Sequence, residues 1–312
     1  MSDIQELEIQ FSTSRLDLIA KQVVEGFITG LHRSPYHGFS VEFAEHKQYN
    51  EGESIKHIDW KLFARTEKLF VKRFEEETNL RSHILIDTSS SMLFPYRDKK
   101  VFNKLKFSVL CSASLIYLLR KQRDAVGLSL FSDKIELHTR SKLSVVHSQL
   151  LFSELEKLLS EKTETSIKGA GRKKTKTATT LHQIAENIHQ RSLIILFSDM
   201  MDNEDPDEVF SALQHLRYNK HEVILFHVFD SKLEEKFEFR NRPYRFLDME
   251  TGEELKLNPN DYRKDYINSV NSFFEKIKLK CGQYKIDLVE ADIRGSFNDI
   301  LMAYLVRRNK LY

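Results

Sequence analysis

The 312-residue chain carries 48 basic and 46 acidic side chains, a formal net charge of +2, so its bulk charge makes no case for a nucleic-acid or membrane-surface partner. Two cysteines, Cys111 and Cys281, stand far apart in apolar helical surroundings, which excludes a disulfide framework and a Cys-x-x-Cys metal site and fits a reducing cytosol. The length accommodates one large α/β domain with a smaller companion.

In chain order, the first residues, Met1-Ser2-Asp3-Ile4-Gln5-Glu6-Leu7, lack the basic, apolar and small-residue order of a secretory leader, and the expectation is a cytoplasmic protein. An amphipathic segment at residues 16–27 is followed by mixed aromatics and charges containing Pro35, Gly38 and Gly52, with short strands expected at 39–43 and 69–74. Residues 1–80 therefore read as a helix plus a small β-rich layer, and residues 81–312 as the main domain.

From residue 82 onward, apolar runs alternate with longer helical patterns, the signature of parallel βαβ units. Strands are expected at 83–87, 125–131, 134–138, 192–198, 222–229 and 285–290, and helices at 101–122, 145–159, 181–189, 207–218, 263–281 and 297–308. Runs such as Leu193-Ile194-Ile195-Leu196-Phe197 are apolar throughout, as for a central strand covered on both faces, so the fold class is α/β with a doubly wound, mostly parallel sheet. Asp205-Pro206 reads as a helix start. The longest nearly apolar run, 109–119, includes two serines and falls short of the ~20 residues of a membrane span, so no transmembrane segment is expected. Segments 161–177 and 231–260 read as exposed excursions, the first holding Lys168, Arg172, Lys173, Lys174 and Lys176.

Chemistry concentrates where the strand at 83–87 runs into Asp87-Thr88-Ser89-Ser90-Ser91. Asp-x-Ser-x-Ser at a strand end aims one carboxylate and two hydroxyls at one point, an oxygen-only set suited to a hard cation such as Mg²⁺ or Mn²⁺. Because open parallel sheets bind ligands at the carboxyl ends of their strands, Thr179, opening a helix, and Asp199, ending the strand at 192–198, can join Asp87, Ser89 and Ser91. The histidines are scattered, and no Gly-x-Ser-x-Gly, His-Glu-x-x-His or phosphate-cradling Gly-rich loop is present. Ser89 stands where a phosphotransferase would place a second aspartate. Asp59-Trp60-Lys61 reads as packing of the small layer onto the sheet, Asp202 as a cap or solvated turn, and the basic loop 168–176 as a solvated charge run.

This constellation resembles the metal-ion-dependent adhesion site of von Willebrand factor A domains. Upstream, Gly38-Phe39-Ser40-Val41-Glu42-Phe43-Ala44-Glu45, Tyr49-Asn50-Glu51-Gly52-Glu53, Ile58-Asp59-Trp60-Lys61, Ala64-Arg65-Thr66 and Lys72-Arg73-Phe74-Glu75-Glu76-Glu77 resemble the bacterial DUF58 family, a likeness spanning roughly residues 36–230. The resemblance implies that Ser89 and Ser91 bind the cation directly, that Asp87, Thr179 and Asp199 bind it directly or through water, and that a sixth position awaits a partner's carboxylate. Such sites carry a glycine pair ahead of the threonine, whereas Lys176-Thr177-Ala178 stands here, so Thr177 and Thr180 remain alternatives to Thr179. The implied function is a non-enzymatic protein-interaction module, with a MoxR-type AAA+ ATPase as partner and no nucleic acid. The competing reading is a metal-dependent phosphoester hydrolase or nuclease, with Asp87 and Asp199 on the metal and loop 168–176 on phosphate. It lacks a general base near the motif. Direct nucleic-acid binding by that loop is a third reading, which the near-zero net charge disfavours.

Overall fold

A computed structural model describes residues 15–33, 46–48, 60–66, 69–72, 80–95, 102–165, 177–189, 191–201, 206–248 and 253–309. The chain forms two compact units, Met1–Phe27 with Leu80–Tyr312, and Ile28–Asn79. A first helix, α1 (Leu16–Arg33), begins in the larger unit, where Leu16, Ile19, Ala20, Val24 and Phe27 are buried at helical spacing. Its Leu16 N–H donates to Glu156 Oε1 at 2.8 Å, within the larger unit. The smaller unit holds β1 (His46–Gln48), α2 (Trp60–Thr66) and β2 (Phe70–Lys72), the two strands antiparallel. The strand expected at 39–43, the packing of Trp60, the basic loop at 168–176, Asp202 and the cap at Asp205 lie outside the described residues.

In the larger unit, β3 (Arg81–Asp87), α3 (Lys104–Lys121), β4 (Ala125–Phe131), β5 (Ile135–His138), α4 (Val145–Thr165), α5 (Thr177–Asn187), β6 (Leu193–Ser198), α6 (Pro206–Tyr218) and β7 (Glu222–Phe229) follow in turn. Then come a hairpin, β8 (Tyr244–Leu247) with β9 (Glu254–Leu257), and α7 (Pro259–Gln283), β10 (Asp287–Asp292) and α8 (Phe297–Asn309). Six strands form one sheet in the order β10-β7-β6-β3-β4-β5, parallel throughout except for β5. The α/β class with a mostly parallel sheet thus holds.

Successive residues of a strand face opposite sides. Leu85, Ile194, Leu196, Val223 and Leu225 enter one apolar cluster with Leu181 and Ile184 of α5 and Phe210 and Leu213 of α6. Their neighbours Ile84, Ile86, Ile195, Phe197, Ile224 and Phe226 are equally buried, so both faces of the sheet are covered. That is why these strands read as unbroken apolar runs.

Three segments depart from expectation. The excursion expected at 161–177 is helical at both ends, since α4 runs to Thr165 and α5 starts at Thr177. The last strand starts at Asp287 and not at residue 285, because Lys285 takes a positive φ of 55° in the turn that reverses the chain after α7. Residues 231–260 are not a plain exposed loop: Ser231–Glu235 forms a π-helical turn with Glu234 buried, and Phe237 stacks on Phe246 of the β8–β9 hairpin and on Tyr266 of α7.

At the β3–β4 pair, Gly127 lies opposite His83, whose Nε2 meets Ser129 Oγ at 2.8 Å; the same hydroxyl meets His138 Nδ1 at 2.8 Å. One hydroxyl proton serves two imidazoles, so one ring presents a lone pair and the other an N–H; burial lowers the pKa of both rings and favours their neutral forms. A Cβ at Gly127 would stand 2.6 Å from His83 Nδ1 and 2.9 Å from Ser141 Oγ. Gly127→Ala is therefore expected to cost ~1–3 kcal/mol by overpacking this relay. A denaturation midpoint unchanged from the parent would show that the ring can withdraw.

Candidate metal centre

Reading the sheet strands in sequence order, the chain builds outward from β3 first to β4 and β5, then restarts on the other side with β6, β7 and β10. Connections leave β3 and β6 in opposite directions, so the crevice between their carboxyl ends is the topological switch point, where open α/β sheets take ligands. The register Ile86↔Phe197 brings Asp87 beside Ser198 at that point.

Asp87 is fixed on both oxygens. The Ser89 N–H donates to Oδ1 at 2.9 Å and the Ser198 hydroxyl to Oδ2 at 2.7 Å. Thr88 pins the loop to the end of β4, its N–H and its hydroxyl both donating to the Phe131 carbonyl. The chain then enters a short 3₁₀ turn, Ser90–Leu93, anchored by buried Met92 and Leu93. This turn brings Ser89 Oγ and Ser91 Oγ to 3.0 Å from each other. Two oxygens at right angles around a magnesium-sized ion, each ~2.1 Å from it, are ~3 Å apart, so the hydroxyl pair suits adjacent positions of an octahedron.

Asp199 follows β6 and is buried. Its Oδ1 accepts the Met201 N–H at 3.0 Å, a turn made possible by Met200 in the left-handed region at φ 55°. Its carbonyl accepts from His227 Nε2 at 3.1 Å. Burial depresses the His227 pKa to about 4, so at neutral pH the ring is uncharged and donates this N–H. Burial first, and then the charge of Asp199, push the Asp87 pKa up to about 6, while the bonds from Ser89 and Ser198 pull the other way. Two carboxylates in one dry crevice repel each other, and a divalent cation relieves that repulsion. The donor set of carboxylates and hydroxyls fits Mg²⁺ or Mn²⁺. Among the described residues, no group of three or more His, Cys, Asp or Glu side chains is placed to hold a metal ion, so the hydroxyls of Ser89 and Ser91 are needed to complete any such set.

Of the five residues expected here, Asp87, Ser89, Ser91 and Asp199 gather at the switch point. Thr179 is exposed on the first turn of α5, whereas Thr177 and Thr180 are buried. The reason is helical phase: Thr177, Thr180, Leu181 and Ile184 share the inward face, and Thr179, two residues before Leu181, lies about 200° away from it. The inward hydroxyls are the two that the sequence left as alternatives.

Sequence reasoning missed three residues. Ser198 is one, holding Asp87. The others are Lys104 and Glu234: Lys104 Nζ donates to Asp199 Oδ2 at 2.7 Å and to Glu234 Oε1 at 2.6 Å, and Lys104 is wholly buried. Burial alone would lower the lysine pKa, but Asp199 and Glu234 outweigh it and hold the ammonium form above the ordinary lysine value. Burial pushes Glu234 up, and Lys104 only partly offsets that. The signal that was available is the setting of Lys104, the first residue of a helix that is apolar nearly all round. A cation there faces the positive end of the helix dipole and needs acidic partners.

The fold and site together define an α/β protein with an oxygen-lined crevice at the switch point of its sheet. The chain belongs to the DUF58 family, described as a protein of unknown function, whose model matches residues 45–273. Uncharacterized proteins of Mycobacterium tuberculosis and Mycobacterium bovis are 27% identical to it over 92 residues, 30% of this chain; the chain spans 29% of the length of these curated relatives. Among solved structures, the conserved hypothetical protein BatB from Bacteroides thetaiotaomicron is similar at 12% identity and TM-score 0.44, covering 75% of this chain and 100% of that one. An aerotolerance-related membrane protein from Bacteroides fragilis is similar at 14% identity and TM-score 0.42, over 74% and 99%. No helix among the described residues is long and apolar enough to cross a membrane.

Proposed function

We propose that this protein is a non-enzymatic, divalent-cation-dependent interaction module of the von Willebrand factor A type. Asp87, Ser89, Ser91 and Asp199, joined by an inward hydroxyl of α5, hold Mg²⁺ or Mn²⁺, and an acidic side chain of a protein partner completes the coordination. The observation that carries this reading is the convergence of Asp87, the Ser89–Ser91 hydroxyl pair and Asp199 at the switch point, with both carboxylates buried. The partner class drawn from the family resemblance is a MoxR-type AAA+ ATPase, for which the protein acts as an adaptor. A hydrolytic reading needs a base open to water; both oxygens of Asp87 and of Asp199 already accept hydrogen bonds, and His227 directs its Nε2–H to a backbone carbonyl.

The test is capture of the candidate ATPase on immobilised full-length protein in Mg²⁺, in EDTA and with Asp87→Ala. Retention in Mg²⁺ and its loss in the other two arms is the expected pattern. Equal retention in all three would sink the metal-bridged reading.

A further inference from the structure

The geometry points to Lys104 as a built-in competitor cation, whose ammonium occupies Asp199 and thereby keeps the resting affinity of the site for divalent ions low. This rests on the metal-binding reading above and adds to it how occupancy is regulated.

Lys104 Nζ sits on Asp199 Oδ2 at 2.7 Å while the Met201 N–H holds Oδ1, so a metal that recruits Asp199 must share or displace the ammonium. Displacement has a prepared destination. Glu234 Oε1 is already 2.6 Å from Nζ, and Glu234 is a fixed anchor, because its Oε2 accepts the Asp230 N–H at 2.8 Å. Asp230 in turn caps the turn Ser231–Glu235 through the N–H groups of Lys232 and Leu233. It is itself clamped by Arg294, whose Nε reaches Oδ1 at 2.6 Å and whose second terminal nitrogen reaches Oδ2 at 2.8 Å. The ammonium can thus yield Asp199 to a metal without becoming an unpaired buried charge, an arrangement that would otherwise be prohibitive.

Charge bookkeeping points the same way. When ionised, Asp87, Asp199 and Glu234 carry three negative charges against the one positive charge of Lys104, leaving 1 − 3 = −2, the complement of one divalent ion. Without Lys104 the same crevice would carry −3 and would draw cations more strongly. The lysine therefore lowers the pull of the resting site on cations by one charge.

Mn²⁺ binding to the full chain, followed by the electron paramagnetic resonance of the free ion, tests this on the parent, Lys104→Met, Glu234→Gln and Asp87→Ala. Lys104→Met is expected to bind Mn²⁺ at least ~10-fold more tightly than the parent, and to show a larger Mn²⁺-induced rise in thermal midpoint. Glu234→Gln, which leaves the ammonium to Asp199 alone, is expected to bind more weakly. Tighter binding by Lys104→Met supports the inference. Affinity no tighter than the parent's, with Asp87→Ala abolishing binding, overturns the role of Lys104 and leaves the metal site standing. No Mn²⁺ binding by any protein, Lys104→Met included, overturns both. If Lys104→Met does not fold, Lys104→Gln decides: tighter binding than the parent supports the inference, and equal or weaker binding overturns it.

Discussion

Acidification from pH 7 to pH 4 is expected to remove ~4 kcal/mol of folding stability through three buried groups, at ~1.4 kcal/mol per tenfold change in proton affinity. Burial, and next to it the neighbouring His138, lower the His83 pKa from 6.5 to about 3, and burial lowers that of His227 to about 4. A depressed folded pKa gives stability that is complete above the unfolded value of 6.5 and is lost as pH falls toward the folded value. Together the two rings account for a loss of ~6 kcal/mol by pH 4. Asp87 works in the opposite sense. Its folded pKa is raised to about 6, so its contribution is complete below 3.8 and is lost as pH rises through 6, and acidification returns ~2 kcal/mol. Urea unfolding at pH 7, 5.5 and 4 measures the net slope. A stability constant across that range would show that the imidazoles are protonated in the native protein, contrary to the relay through Ser129 and the bond from His227 to Asp199.

Replacing Lys104 by methionine is expected to destabilise the metal-free protein by ~3–5 kcal/mol, because a buried pair broken on one side leaves charge uncompensated. Lys104 Nζ also lies 5.8 Å from the centroid of the Phe94 ring, so methionine, which retains most of the apolar stem, removes the ammonium from both carboxylates and from that ring. In a chain of this size the thermal midpoint should fall by on the order of 10 °C. Removing the whole network with Lys104→Met, Asp199→Asn and Glu234→Gln together should restore much of that loss, since no carboxylate is then stranded. Thermal melts in EDTA check both statements. A triple variant less stable than Lys104→Met alone would mean that packing, and not charge, is what Lys104 supplies.

Much of the architecture was legible because the central strands are covered on both faces. Burial of Ile84 and Leu85 alike forces an apolar run that no solvent-facing helix would show, and the strands at 125–131 and 222–229 are found at the expected residues. Asp87, Ser89, Ser91 and Asp199 were legible because they sit immediately after such runs. Thr179 shows where that logic stops. Three hydroxyls stand within four residues, and only the phase of the helix, set by which side of α5 meets the sheet, separates the inward Thr177 and Thr180 from it. Glu234 was hidden for a different reason: it lies in Lys232-Leu233-Glu234-Glu235-Lys236, a charged stretch indistinguishable in composition from a solvated loop. Its burial depends on a cap at Asp230 and on the clamp that Arg294, 64 residues from Asp230, places on that cap.

The two outer strands have a bearing on how any protein can dock. At one margin β5 runs for only four residues, antiparallel, with a register slip opposite Leu130 and Phe131 and with Glu136 exposed. At the other, β10 carries Asp287, Glu290 and Asp292 in six residues. Short, irregular or acidic margins discourage backbone-to-backbone pairing with a visitor. The sheet is thereby guarded at both margins against lengthening by a visiting strand.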